Sequence, residues 1–136
     1  MFVLFDGIER VNSFKLLGLV FQNNFKFHEH VNFVLRQCSQ RLYLPKLLRY
    51  QGMNSDHLDQ VTHALTIYRL RYALPAWCGF LTTDLRNRTE GLLKRLKRSR
   101  YLKEHICFSE LCTDVSRELF LNVLRLYHCL NHLLPT

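Results

Sequence analysis

Between positions 58 and 72 the apolar side chains Leu58, Val61, Leu65, Tyr68 and Tyr72 recur at steps of three and four. At about 100° per residue these steps build one stripe of an α-helix, whereas a strand needs alternation with period two. Such a stripe has to be covered, so the chain must pack helices against one another. Asn54 and Ser55 offer N-caps for this helix, and Asp56 and Asp59 sit in the first turn, where the helix dipole favours them. Pro75 stops it. Trp77 and Phe80 follow as expected core anchors, because large aromatics supply much of the area a small core can bury.

Further helices follow from the same periodicity. One is expected over His28 to Tyr50, with Val31, Val34, Leu35, Cys38 and Leu42 on one side, a kink or split at Pro45, and termination at Gly52. Another begins near Thr83 and Asp84. Its Leu85, Leu92, Leu93 and Leu96 share one face, and Lys94, Arg95, Lys97 and Arg98 share the other. Arg100 and Lys103 return to the leucine side, so this helix is expected to end about there. A last helix, capped by Thr113 or Asp114, is expected to bury Leu119, Phe120, Val123, Leu124 and Tyr127. Ahead of the helices, Phe2–Phe5 and Ile8–Val11 flank Asp6-Gly7, a strong hairpin signal, with Phe14–Phe21 as a third strand. Gly18 interrupts that third run and marks a bulge or a close approach by a ligand backbone. The expected fold is mainly α, a helical bundle with a short N-terminal β hairpin or meander. Residues 1–24 form the strands and 25–136 the helical part, as one folding unit.

Composition narrows the partners. The 136 residues are 48% hydrophobic, which argues against disorder, and carry a net charge of +8 with a pI near 9.5. An excess of that size favours an anionic partner, nucleic acid ahead of a membrane surface. Five cysteines, an odd number, form no disulfide framework, which suits a reducing compartment, the nucleus or cytoplasm rather than a secreted setting. The apolar start Met1–Phe5 lacks the basic flank of a signal peptide, and no apolar run approaches the roughly 20 residues needed to span a bilayer.

Catalytic constellations are sparse. Phosphoryl transfer by two metal ions needs paired carboxylates, yet Asp6, Asp56, Asp59, Asp84 and Asp114 are scattered. Cys107, Cys112, His128 and His132 approach a zinc-finger spacing, but the middle spacer is too long and too amphipathic for a compact finger, so the cysteines read as small apolar fillers and no metal is assigned. Cys38 and Cys78 lie in apolar segments without a base, and the five glycines form no phosphate loop. The basic faces remain. Lys94, Arg95, Lys97 and Arg98 are one set, and Arg36, Arg41, Lys46 and Arg49, interleaved with Tyr43 and Tyr50, are a second. Cations spaced along a helix are what contact with a phosphate backbone requires.

Several landmarks recur in a known order. They are Ser13-Phe14-Lys15-Leu16-Leu17-Gly18, the stretch Arg41-Leu42-Tyr43-Leu44-Pro45-Lys46-Leu47-Leu48-Arg49, Tyr72-Ala73-Leu74-Pro75-Ala76-Trp77, Leu119-Phe120, and His128 to Pro135. In these the chain resembles the C-terminal primer-grip and thumb region of non-LTR retrotransposon (LINE) reverse transcriptases of the Jockey and CR1 type, with Leu16 where an aromatic is usual. The resemblance implies a thumb-like bundle, with Phe14, Lys15, Leu16, Leu17 and Gly18 near the primer strand and the basic helices against an RNA/DNA template–primer duplex. It implies Mg²⁺ only in the full-length enzyme, on ligands in a catalytic palm domain outside this chain. By that reading the chain is a fragment of an RNA-directed DNA polymerase family with no catalysis and no cofactor of its own, and its sheet edge is exposed where the palm would lie. The competing reading is a helical protein-interaction module or a degenerate remnant of a transposable element.

Overall fold

The apolar run from Phe14 to Phe21 reverses direction in its middle. In the computed structural model, which describes residues 6–135, Leu17 (φ 49°) and Gly18 (φ 84°) both occupy the left-handed region. A two-residue loop with both φ positive is a type I′ turn, whose twist matches that of paired strands. It joins β1 (Ser13–Leu16) to β2 (Leu19–Gln22) as an antiparallel hairpin, with Leu16 opposite Leu19 and Ser13 opposite Gln22. The expected single third strand is therefore two strands. Gly18 is a turn residue, and Phe14 stacks on Phe21 across the pair at 5.4 Å. Of the expected first hairpin, Phe2–Phe5 lies outside the described residues, and Ile8–Val11 is exposed and forms no strand among the described residues.

Helix α1 (His28–Arg41) buries His30, Val31, Val34, Leu35 and Cys38. A break at Leu42 separates it from α2 (Tyr43–Tyr50). Pro45 thus sits in the first turn of a new helix, where its missing N–H has no intrahelical partner to lose, and the split falls just before it. Gly52 (φ 89°) ends α2. Its N–H donates to the Arg49 carbonyl and the Met53 N–H to the Leu48 carbonyl, a paired closure that needs a left-handed residue.

Asn54 caps α3 (Ser55–Thr62), its side chain accepting from the His57 N–H at 2.9 Å. The helix runs through a π-helical stretch, His63–Ile67, into α4 (Tyr68–Arg71). This widened turn changes which residues face inward. Leu58, Thr62, Thr66, Ile67 and Leu70 are buried, while Tyr68 and Tyr72 of the expected stripe are exposed. Steps of four lie between the 3.6-residue α repeat and the wider π turn, which suits a helix that combines the two. On this buried line Thr62 donates to the Leu58 carbonyl at 2.8 Å, as Thr89 of a later helix does to Leu85 at 2.9 Å, whereas the Thr66 hydroxyl has no hydrogen-bond partner among the described residues. After Ala73 (φ 49°), Pro75 lies in the first turn of α5 (Leu74–Trp77), which continues as a 3₁₀ turn over Cys78–Phe80. Trp77 is completely buried, donates to the Tyr72 carbonyl at 3.2 Å, and meets the His30 ring edge-on at 5.3 Å. Phe80, the other expected anchor, lies at the surface and only reaches Phe27, at 5.7 Å.

Helix α6 (Thr83–Arg98) is capped by the Thr82 hydroxyl and buries Leu85, Leu92, Leu93 and Leu96, as its pattern requires. It ends where expected, with Arg100 left-handed (φ 60°) and the Tyr101 N–H bonded to the Leu96 carbonyl. Helix α7 (Phe108–Val123) starts ahead of Thr113 and Asp114, which lie inside it. Its first N–H is capped from α6, by Glu90 Oε2 at 2.8 Å, a partner that local pattern does not show. Phe108, Leu111, Cys112, Val115 and Val123 are buried, whereas Leu119, Phe120, Leu124 and Tyr127 are exposed. The early turns of α7 lie over α5 and α6, and its later turns extend beyond the core. One core cluster runs from Leu19 to Val115.

Candidate nucleic-acid interface

On α6 the cations opposite the leucine face stand beside α1. Arg88, Lys94, Arg95 and Arg98 line a groove of about 480 Å³, with Leu35 and Ser39 of α1 as its far wall and Gly91 on its floor. Arg88, Arg95 and Arg98 fall on one helical stripe, about 10 and 15 Å apart from the first to the second and third. Arg88 is fixed across the groove by donating to Asn32 Oδ1 at 2.6 Å, which leaves its other N–H groups free to face a ligand. Arg36 lies on the same side of α1 as Asn32 and Ser39, about 40–60° away around the helix. Arg95 also borders a second depression of about 270 Å³, with Tyr43, Lys46, Ser99 and Tyr101. No carboxylate lines either depression. The two therefore form one cationic track with an aromatic at its far end.

Other expected contacts are used inside the protein. Arg49 donates to the Ser99 carbonyl and stacks on the Tyr101 ring at 4.6 Å, so it closes the end of α6. Lys97 donates to the Lys103 carbonyl, and Lys103 pairs with Asp56 while its N–H donates to Asp59 Oδ1 at 2.7 Å. The acidic residues expected to serve the α3 dipole thus also latch the loop after α6. That pairing holds the Asp56 carboxyl below the usual range, by hydrogen bonding and attraction to Lys103. Arg41 lies about 140° around α1 from Arg36 and so leaves the track.

The five hairpin residues divide as well. Phe14, Leu16 and Leu17 are exposed, Leu17 most of all at 81%. Lys15 turns back over the Phe33 ring of α1, with Nζ 5.4 Å from its centre. What approaches Gly18 is this chain's own Tyr72, whose ring lies 3.3 Å from the position a Cβ would take and whose hydroxyl donates to the Leu17 carbonyl at 2.6 Å.

Two of the buried thiols are poor nucleophiles at neutral pH. Burial pushes Cys38 up to about 11 and Cys112, which lies beside Cys78, up to about 12. Among the described residues no three His, Cys, Asp or Glu side chains are grouped to hold a metal, and the Cys107–His132 pattern is not brought together. No helix of the described residues is long and apolar enough to cross a membrane.

Comparison with protein-family models, with curated proteins and with solved structures returns no match to this chain. Two residues of the site escaped the sequence reading. Arg88 was legible, since Arg88, Arg95 and Arg98 repeat at i, i+7 and i+10 on the stripe that carries Gly91. Asn32, its anchor, comes from another helix and leaves no local signal.

Proposed function

We propose that this chain is a non-catalytic, thumb-like module that holds a nucleic-acid duplex nonspecifically by its phosphates, along the track between α1 and α6. The observation that carries this reading is the alignment of Arg88, Lys94, Arg95 and Arg98 along one groove with no carboxylate in its walls. Cations confined in this way focus their field outward and exchange condensed counterions for contacts. They carry no base-reading geometry, so sequence preference is weak. Together with the landmarks from Ser13 to Pro135, this supports a primer-grip and thumb portion of a retrotransposon RNA-directed DNA polymerase, working in the nucleus or cytoplasm beside a palm supplied separately.

The test is a binding isotherm for an RNA/DNA heteroduplex at several salt concentrations. Replacing Arg88, Lys94, Arg95 and Arg98 by Ala should flatten the log–log salt slope by about 3, if most of the four meet one phosphate each. Absence of heteroduplex binding by the wild-type chain at low salt would reject the proposal. A second reading, a protein-interaction module, has its own observation. Leu119, Phe120, Leu121, Leu124 and Tyr127 are exposed in and just after the distal half of α7, an apolar concentration that monomers usually avoid.

A further inference from the structure

A third, smaller cavity lies on the other side of α1, under the hairpin. Its volume is about 250 Å³, and Lys15, Gly18, His30, Arg69 and Tyr72 are among its walls. Lys15 and Arg69 reach it from different elements, β1 and α4, and converge on one aromatic. Lys15 Nζ lies 5.4 Å and Arg69 Cζ 5.9 Å from the centre of the Phe33 ring. Neither cation takes part in an ion pair among the described residues, and no carboxylate lines the cavity. Two cations thus line one cavity with no counter-charge, an arrangement that an anion would complete.

The remaining walls are built and not merely open. The Tyr72 hydroxyl ties the hairpin tip at Leu17 to the end of α4, and Gly18 leaves room for that ring. His30 accepts from the Val20 N–H through Nδ1 at 3.4 Å, which joins β2 to α1. Burial first, then Arg69, lower the His30 pKa to about 4, so at neutral pH it adds no positive charge. The positive charge in the cavity wall therefore comes from Lys15 and Arg69.

We propose that this cavity binds the phosphate group of a phosphomonoester, with Arg69 as a forked donor and Lys15 as a point charge. A planar guanidinium can give two parallel hydrogen bonds to one phosphate, and an ammonium adds charge without fixed geometry. The volume falls below the roughly 300–1,000 Å³ that enclose a drug-sized ligand, so it suits the phosphate with little of its substituent. The site does not depend on duplex contact along the α1–α6 track.

The experiment uses the full chain and titrates it with inorganic phosphate, AMP, and a short oligonucleotide with or without a 5′-phosphate, read by calorimetry and by amide shifts in the hairpin. Saturable binding is expected, with hairpin shifts, and Arg69→Ala and Lys15→Ala should each weaken it by about tenfold. Arg69→Lys should retain part of the affinity, while Arg117→Ala, at an exposed position of α7, should leave phosphate binding unchanged. Preference for the 5′-phosphorylated strand over its 5′-hydroxyl form would assign the group to a strand end. Equal binding of AMP and inorganic phosphate would assign it to a free ligand, and both results support the site. No saturation by about 10 mM phosphate, well above a millimolar Kd, would overturn the proposal. So would equal affinities for wild type, Lys15→Ala and the folded Arg69→Lys variant.

Discussion

Gly91 sits in the interior of α6, two turns from its start, and is the one position there with neither a side chain nor a visible reason for lacking one. A Cβ built on it meets nothing within 4 Å, and its φ is not in the left-handed region. Neither packing nor backbone conformation requires glycine. Gly in a helix interior costs about 0.8–1.0 kcal/mol relative to Ala, so Gly91→Ala should stabilise the fold by about that amount. For a chain of this size that corresponds to a Tm rise of about 3–5 °C. Thermal unfolding followed by circular dichroism measures it. The same glycine lies on the groove floor between Arg88 and Arg95, where bare backbone allows a phosphate strand to approach closely. Gly91→Leu should therefore weaken heteroduplex binding while the helix remains intact. A Tm that falls on Gly91→Ala would show that the glycine serves an internal contact. A Gly91→Leu protein that binds like wild type would remove the floor from the interface.

Two other outcomes follow from residues used internally. His30 is neutral when folded, with its pKa near 4 against 6.5 in the unfolded chain. Its contribution is complete above pH 6.5 and is lost as pH falls toward 4, because only the unfolded state takes up the proton there, at a cost of up to about 3 kcal/mol. Urea titrations at stepped pH should show that loss, and His30→Asn should reduce its slope; an unchanged slope would place the acid sensitivity elsewhere. Arg49→Ala should cost about 1 kcal/mol through the lost Ser99 carbonyl bond and Tyr101 stacking, with no change in the salt slope of duplex binding. A flatter slope would return Arg49 to the interface.

Local chemistry was enough for several features. The leucine face of α6, the Asn54 cap, the stop at Gly52, the end of α6 near Arg100 and the burial of Trp77 each follow from a few neighbouring residues, because propensity, capping and period act within one or two turns. The basic exterior of α6 was legible for the same reason. Where readings failed, either a local backbone irregularity or a partner from elsewhere in the chain decided the outcome. The π turn at His63–Ile67 moved Thr62 and Thr66 inward and Tyr68 outward, and α7 acquired its cap from Glu90.

The amino-acid order thus determined which segments are helical and which faces are apolar or cationic. Only the packed structure decided which cations remain available. Arg49 and Lys97 are spent on the carbonyls at Ser99 and Lys103, whereas Arg88, Arg95 and Arg98 are left along a groove that exists because α1 lies beside α6. A side chain's charge is set by its own chemistry, but its partner is set by which distant backbone or side chain the fold brings within about 3 Å.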